Sequence, residues 1–396
     1  MTRSRTWDTE TGVGRRAMLG RLGAWGTGAL AGSAALDRWA ASTPAQALIT
    51  VHGKHGPVSG AADAHAAADV AAQSSGPLTS LSYRRPADAL KGITASGAAG
   101  VNADWERGTG RSWFIEEQRS GEVAAIGGIV TFDPRVVEGA IRVFDWGFAR
   151  QGADGGFAGT GDPFHSTSFF VAAVTHAGLF ARDAARTGRF PLAETSLPRL
   201  ARYTPLVLWA ADWMARSDVW SRGLSLNAPY THRRYLVGAA LGLTAALTGD
   251  HTLLDRVYPV LEDGLSRQQP DGVNPELGGH DSSYQMTGVV FAQYWVAYLP
   301  DHPLTPRIRV MIERALAWEA SRVLPSGEVS PRGNTRTAGQ ETARDGIPKG
   351  VAYSRVIRGF ATWAALTGDP RWAELAWRTG RYYYGTPALA RRPLLP

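Results

Sequence analysis

The chain has 396 residues, 42 Lys and Arg against 35 Asp and Glu, and no cysteine. Zero cysteine excludes a disulfide scaffold and any thiolate chemistry. With 44% hydrophobic residues, a chain this long can bury a large core, as one big domain or two smaller ones.

Residues 1–47 read as an export leader. The twin arginines Arg15 and Arg16 in "TGVGRRAMLG" precede the small apolar run "LGAWGTGALAGSAAL", and "PAQA" offers an Ala-x-Ala cleavage site. The run is too short and too glycine-rich to stay in a bilayer. Cleavage after Ala47 would leave 396 − 47 = 349 residues. The leader carries six arginines and three acids, so the remainder has a net charge of 7 − 3 = +4. The expectation is a secreted or periplasmic protein, exported by the twin-arginine pathway and free of the membrane after cleavage. A mildly basic chain favours an acidic ligand, and the lack of any Lys/Arg block argues against nucleic acid.

Residues 48–130 are rich in Gly, Ala and Ser, with poor periodicity beyond a helix expected near 61–74, and read as an irregular or helical segment packing on a catalytic domain formed by 131–396. From residue 134 apolar residues recur at three- and four-residue spacing. They predict helices over 134–150, 165–187, 196–216, 231–248, 252–268, 284–299, 305–323, 350–367 and 370–384. No stretch alternates as a strand would, so the predicted class is all-α.

The connections alternate in length. "LTGD" at 247–250 and 366–369 closes tight turns, whereas "QGADGGFAGTGDPFH", "SDVWSRGLSLNAPYTH", "QPDGVNPELGGHDSSY" and "PSGEVSPRGNTRTAGQETARDGIPKG" are long. Antiparallel helices joined in this way place every long loop on one face, and long loops in a compact domain are usually functional. The architecture expected is an (α/α) toroid, an incomplete barrel of helical hairpins with a cleft at the long-loop end; an open α-solenoid is the alternative.

The long loops carry the chemistry. They bring His165 from the first, Trp220, Asn227, Tyr230 and His232 from the second, Glu276, His280, Asp281 and Tyr284 from the third, and Arg332, Asn334 and Arg336 from the fourth. His165, His232 and His280 stand at equivalent loop-to-helix junctions and are expected to converge. Asp154 and Asp271 fall in Q-x-x-D-G stretches, where an Asp accepts backbone N–H groups at a turn, so they read as structural. Trp105, Trp113 and Trp220 stand in loop-like sequence, where an indole face could stack on a pyranose ring.

An exported helical toroid with Asn, His, Tyr and Arg on its open face resembles the single-domain alginate- and glucuronan-type polysaccharide lyases. That resemblance covers 134–384 in architecture and only short pieces as motifs. It implies that Asn227 and His232, with Arg332 or Arg336, neutralise a uronate carboxylate, and that Tyr284 moves the proton with His280 as its partner. The other loop residues would contact an acidic polysaccharide substrate. The chain departs from the family where its adjacent Asn-His pair is split here by "APYT", and it has no appended β-sandwich.

The chemistry suits these side chains. β-Elimination removes a weakly acidic proton α to a carboxylate, so donors on that carboxylate stabilise the enolate-like transition state. A tyrosine can then act as base and acid. His280 and Tyr284 lie four residues apart and would share a helix face if the helix began before His280. The rival class is an inverting glycoside hydrolase, using a pair such as Glu276 and Asp281; a non-catalytic glycan-binding protein is the third. No cofactor is expected, and no metal either, since the chain has no H-E-x-x-H and no EF-hand loop, and "HGKH" at 52–55 reads as accidental. The leader reading makes one prediction: replacing Arg15 and Arg16 by Lys should trap the precursor inside the cell. Undiminished export of that variant, scored by immunoblot of the medium, would count against it.

Overall fold

A computed structural model describes residues 77–83 and 85–385. The leader, and the helix expected near 61–74, lie outside the described residues. The described residues form fourteen α-helices and two short 3-10 helices, with isolated bridges and no strand, so the described part of the chain is all-α. The helices are α1 (Pro77–Ser82), α2 (Val101–Glu106), α3 (Ser120–Val130), α4 (Pro134–Phe148), α5 (Pro163–Arg186), α6 (Pro191–Ala201) and α7 (Thr204–Ala215). They continue with α8 (Ser217–Asn227), α9 (His232–Thr248), α10 (Thr252–Ser266), α11 (Ser282–Tyr298), α12 (Thr305–Arg322), α13 (Tyr353–Thr367) and α14 (Pro370–Tyr384).

Three expectations need correction. The first is α3, which falls inside the segment read as poor in periodicity. Its sequence, "SGEVAAIGGIV", is small or apolar apart from the buried Glu122, and buried on almost every side, so it has no polar face to mark a period. The second is the helix expected over 196–216, which is two helices with Arg202 and Tyr203 between them. The third is the second long loop: most of it is α8, which leaves only residues 228–231 as a connection.

Five helices touch one another in chain order: α3 with α5, α5 with α9, α9 with α11, and α11 with α13. Each carries a further partner, α4 on α3, α6 and α7 on α5, α10 on α9, α12 on α11 and α14 on α13. Sequence explains the division. Helices α4, α10 and α14 have one apolar stripe, whereas α5, α9 and α11 are buried around most of their circumference.

The Q-x-x-D-G stretches are matching turns that tie a loop to the next hairpin. Asp154 Oδ1 accepts Gly156 N at 3.0 Å and Asp271 Oδ1 accepts Val273 N at 3.1 Å. Gln151 Nε2 donates to Leu206 O and Gln268 Nε2 to Met311 O, both at 2.9 Å. Gly155 and Gly272 have φ of +87° and +98°, and a Cβ on either would stand 2.3 Å from a carbonyl oxygen, that of Trp209 or Arg314. Only glycine can take that backbone at that distance.

The first and last of the five helices meet at a buried carboxylate. Glu122 Oε1 on α3 accepts from His176 Nδ1 on α5 and from Tyr294 Oη on α11, each at 2.7 Å, and lies 3.6 Å from Arg358 Nη1 on α13. Burial alone would raise its pKa; the His176 hydrogen bond and the Arg358 charge outweigh that and hold it at about 2. The stabilisation it contributes is therefore present above its ordinary 4.5 and is lost as pH falls toward 2.

Glu319 on α12 shows the opposite balance. It is fully buried, neither oxygen has a hydrogen-bond partner, and burial pushes its pKa up to about 8 from 4.5. Between those values the folded chain holds a proton that the unfolded chain has released, so stability falls as pH rises, by up to about 1.4 kcal/mol per unit. Glu319→Gln should match the wild-type thermal midpoint below pH 4.5 and exceed it above pH 8. Parallel midpoints across that range would show that Glu319 ionises freely.

Candidate active site

The stretch 269–285 is a clamp rather than a free loop. Glu276 N donates to Gly279 O at 2.8 Å, closing a tight turn, and Leu277 N reaches Pro229 O at 3.1 Å. Thr335 Oγ1 donates to Glu276 O at 2.8 Å. The turn thus joins the connection before α9 to the long segment between α12 and α13.

Its acids do the anchoring. Glu276, 1% exposed, accepts both the backbone N–H of His232 at 2.9 Å and His232 Nδ1 at 2.7 Å through Oε1. Asp281 is the N-cap of α11, accepting Ser283 N at 3.0 Å and Tyr284 N at 3.2 Å through Oδ1. Its Oδ2 accepts Arg336 N at 3.0 Å, Thr337 N at 2.8 Å and Thr337 Oγ1 at 3.0 Å. Five donors occupy this buried carboxylate.

Tyr284, in the first turn of α11, stands where these elements meet. Its ring lies 4.8 Å from that of His232, centroid to centroid. Gly288, one turn on, lets α11 approach α9 this closely, since a Cβ there would stand 3.2 Å from His232 Cα. The Arg336 guanidinium lies 3.6 Å from the Tyr284 ring centroid and 4.8 Å from that of Tyr230, and Arg233 covers Tyr230 at 4.3 Å. Lys349 Nζ donates to Tyr284 Oη at 3.0 Å. Glu341 holds both cations, bonding Arg336 Nε at 2.9 Å and Lys349 Nζ at 2.5 Å. Burial works against the charged forms of Lys349 and Arg336, but their pairing with Glu341 raises both pKa values.

A second layer adjoins the first. The His165 ring lies 6.3 Å from that of His232, and its Nε2 is 3.8 Å from Glu116 Oε2. Glu116 pairs with Arg119 at 3.3 Å and with Arg344, and despite burial those cations lower its pKa. Burial, followed by the charges of Arg233, His232, Arg119 and Arg344, puts His165 well below 6.5. Burial also lowers His232, against the opposing charge of Glu276. Both imidazoles are therefore neutral at neutral pH. A neutral His232 that donates Nδ1–H to Glu276 keeps Nε2 as an acceptor.

Of the residues expected from sequence, His165, Tyr230, His232, Glu276, Tyr284 and Arg336 come together, Asp281 anchors two of them through their backbone N–H groups, and the others do not join them. His280 is not the partner of Tyr284. Because α11 starts at Ser282 and Asp281 is extended, the two share no helix face; His280 Nε2 is 3.2 Å from Arg332 O, and its ring lies 5.2 Å from that of Trp318. Asn227 Oδ1 accepts Arg233 Nη1 at 2.9 Å, and the residue lines a separate cavity of about 230 Å³ with Trp220, Leu224 and Val260. Trp220 is buried there against Phe164, with ring centroids 5.9 Å apart. Arg332 is exposed and contributes its carbonyl, and Asn334 is buried, bonding Thr337 Oγ1 at 2.8 Å. Trp105 and Trp113 pack on Trp146 at 6.3 and 5.9 Å. Neither Asp281 nor Asn334 is free to meet a ligand.

Sequence reasoning missed Lys349, Glu116, Arg119, Arg233 and Arg344. One signal was available: Lys349 is one of only three lysines in the chain, so an ammonium there is a choice against composition. Arg119 and Glu116 gave none, since they precede the unrecognised α3. Among the described residues no group of three or more His, Asp or Glu is placed to hold a metal ion, and no helix is long and apolar enough to cross a membrane. No protein-family model, curated protein or solved structure matches the chain.

Histidine titration tests this geometry directly. His232 should titrate below 6.5, and Glu276→Gln, which removes the charge favouring imidazolium, should move it lower still. An NMR titration placing wild-type His232 above 6.5 would mean that the burial is wrong.

Proposed function

We propose that the protein is a polysaccharide lyase that cleaves a uronate-containing polymer by β-elimination, on an (α/α) toroid whose long connections frame the active site. The supporting observation is the environment of Tyr284 Oη, which receives a hydrogen bond from Lys349 at 3.0 Å beside a neutral, Glu276-oriented His232. In this mechanism the Lys349 ammonium and the Arg336 guanidinium stabilise negative charge on the phenolic oxygen. The oxygen takes the proton α to the substrate carboxylate and delivers it to the departing glycosidic oxygen. His232 Nε2 accepts a hydrogen bond from the reacting centre. Arg336 replaces Asn227 as the donor to the substrate carboxylate, because Asn227 faces the other cavity.

The toroid reading is supported by the ordered contacts of α3, α5, α9, α11 and α13, and by the meeting of α3 with α13 at Glu122. The hydrolase alternative is disfavoured because Asp281 is held by five donors, and Glu276, 1% exposed, is bound to His232 through Oε1 with Arg336 3.6 Å from its Oε2. Secretion follows from the leader reading alone.

Tyr284→Phe keeps the ring and loses the hydroxyl, so the fold should survive while turnover falls by about 10²–10⁴. Lys349→Met should act in the same direction, and His280→Ala should leave turnover near wild type. Activity should fall on the acid side as His232 protonates, with that limb below 6.5. The assay is the ultraviolet absorbance of the unsaturated product on a panel of acidic and neutral polysaccharides. Reducing ends formed without that absorbance, or a fully active Tyr284→Phe, would end the proposal.

A further inference from the structure

The cations at the site are matched to acids, with one exception. Arg336 and Lys349 share Glu341, Arg119 and Arg344 share Glu116, and Arg233 meets Asp162. Arg355, in the first turn of α13, makes no ion pair within 4.0 Å among the described residues, and its Nη1 is closed off from solvent without a hydrogen-bond partner. A guanidinium so placed is unfavourable unless an anion comes to it.

Its surroundings lead back to the active site. The Arg355 guanidinium lies 5.7 Å from the ring centroid of Phe291, which packs edge-on against Phe169 at 5.6 Å. Phe169 carries Arg119 at 5.0 Å and packs against His165 at 4.9 Å. A cavity of about 170 Å³ is lined by Arg119, Ser120, Glu122 and Arg355. The Ser120 hydroxyl is a second buried group without a partner. The acids on the wall are engaged, Glu122 by His176 and Tyr294, and Glu117 by Arg344 at 3.2 Å. At about 30 Å³ per water the space would hold some five waters, or one carboxylate with part of its sugar.

We infer that Arg355, Arg119 and Ser120 form an anion subsite for a second acid group of the polymer being cleaved. The preferred substrate then carries carboxylates on successive sugars and is not a neutral chain with isolated uronates. The identity of the carrier rests on the lyase reading; the anion site rests on the unpaired guanidinium.

Two measurements separate these claims. Thermal midpoints in rising inorganic sulfate, against chloride at equal ionic strength, should show a saturable gain for wild type. Arg355→Gln should lose the gain, and Arg355→Lys should regain part of it. Without sulfate Arg355→Gln should change the midpoint little, because Arg355 is only partly buried and makes no ion pair within 4.0 Å. In the second arm, on a homopolymeric uronate, Arg355→Gln should raise KM by about ten-fold or more, the scale of a lost charge-assisted hydrogen bond. It should change kcat far less than Tyr284→Phe does, and the rise in KM should shrink on a partly carboxyl-reduced polymer. An equal sulfate gain in wild type and Arg355→Gln overturns the subsite, whatever the enzyme cleaves. A wild type that eliminates no uronate polymer overturns the lyase reading and leaves the sulfate result to decide the subsite.

Discussion

Asp281 uses its two carboxylate oxygens for two different tasks, and the site depends on both. Oδ1 caps the first turn of α11, which fixes where Tyr284 leaves the helix. Oδ2 holds the backbone of residues 336 and 337, which lays the Arg336 guanidinium on the Tyr284 ring. A helix N-terminus presents unsatisfied N–H groups and a positive dipole end, so a carboxylate is well placed there. That same charge ties the long segment between α12 and α13 to the start of α11. Hydrogen bonds from Thr335 to Glu276 and from Ala352 to Ser283 add further ties between the same two segments.

Two buried acids repeat this use of a carboxylate as a junction. Glu276 joins the turn at 276–279 to the start of α9 and sets the tautomer of His232. Glu122 joins α3, α5, α11 and α13 at the interior. Glu276 receives two donors from one distant residue and Glu122 receives partners from three helices, and these offset the cost of burial. Glu319 has no comparable set of donors, and burial raises its pKa against the opposing charge of Arg322.

The electrostatic character of the site is one of balance. Arginines and a lysine surround Tyr284 and the two histidines, yet most are paired, so the imidazoles stay neutral through burial and neighbouring positive charge. A neutral histidine with one nitrogen fixed by a carboxylate is suited to accept a proton or a hydrogen bond near pH 7. A tyrosine hydroxyl beside an ammonium is suited to carry transient negative charge. The pairing also makes Arg355 conspicuous, since it makes no ion pair within 4.0 Å among the described residues and its Nη1 has no hydrogen-bond partner.

By itself the sequence determined the all-α class, eight of the nine predicted helices to within a few residues, and the Q-x-x-D-G turns, because periodicity, caps and glycine turns are local signals. It also gathered His165, Tyr230, His232, Glu276, Tyr284 and Arg336 as candidates, from their places on the connections. It misread α3 and α8, the first because a helix buried all round has no polar face to reveal its period. It paired Tyr284 with His280 because four-residue spacing means adjacency only within a helix, and the N-cap at Asp281 falls between them. Only the tertiary structure decided that His232, 52 positions away from Tyr284, is the neighbouring ring, and that Lys349 and Arg119 belong to the site. Such contacts are made by helix packing and by buried carboxylates bridging distant segments, and neither leaves a periodic trace in the chain.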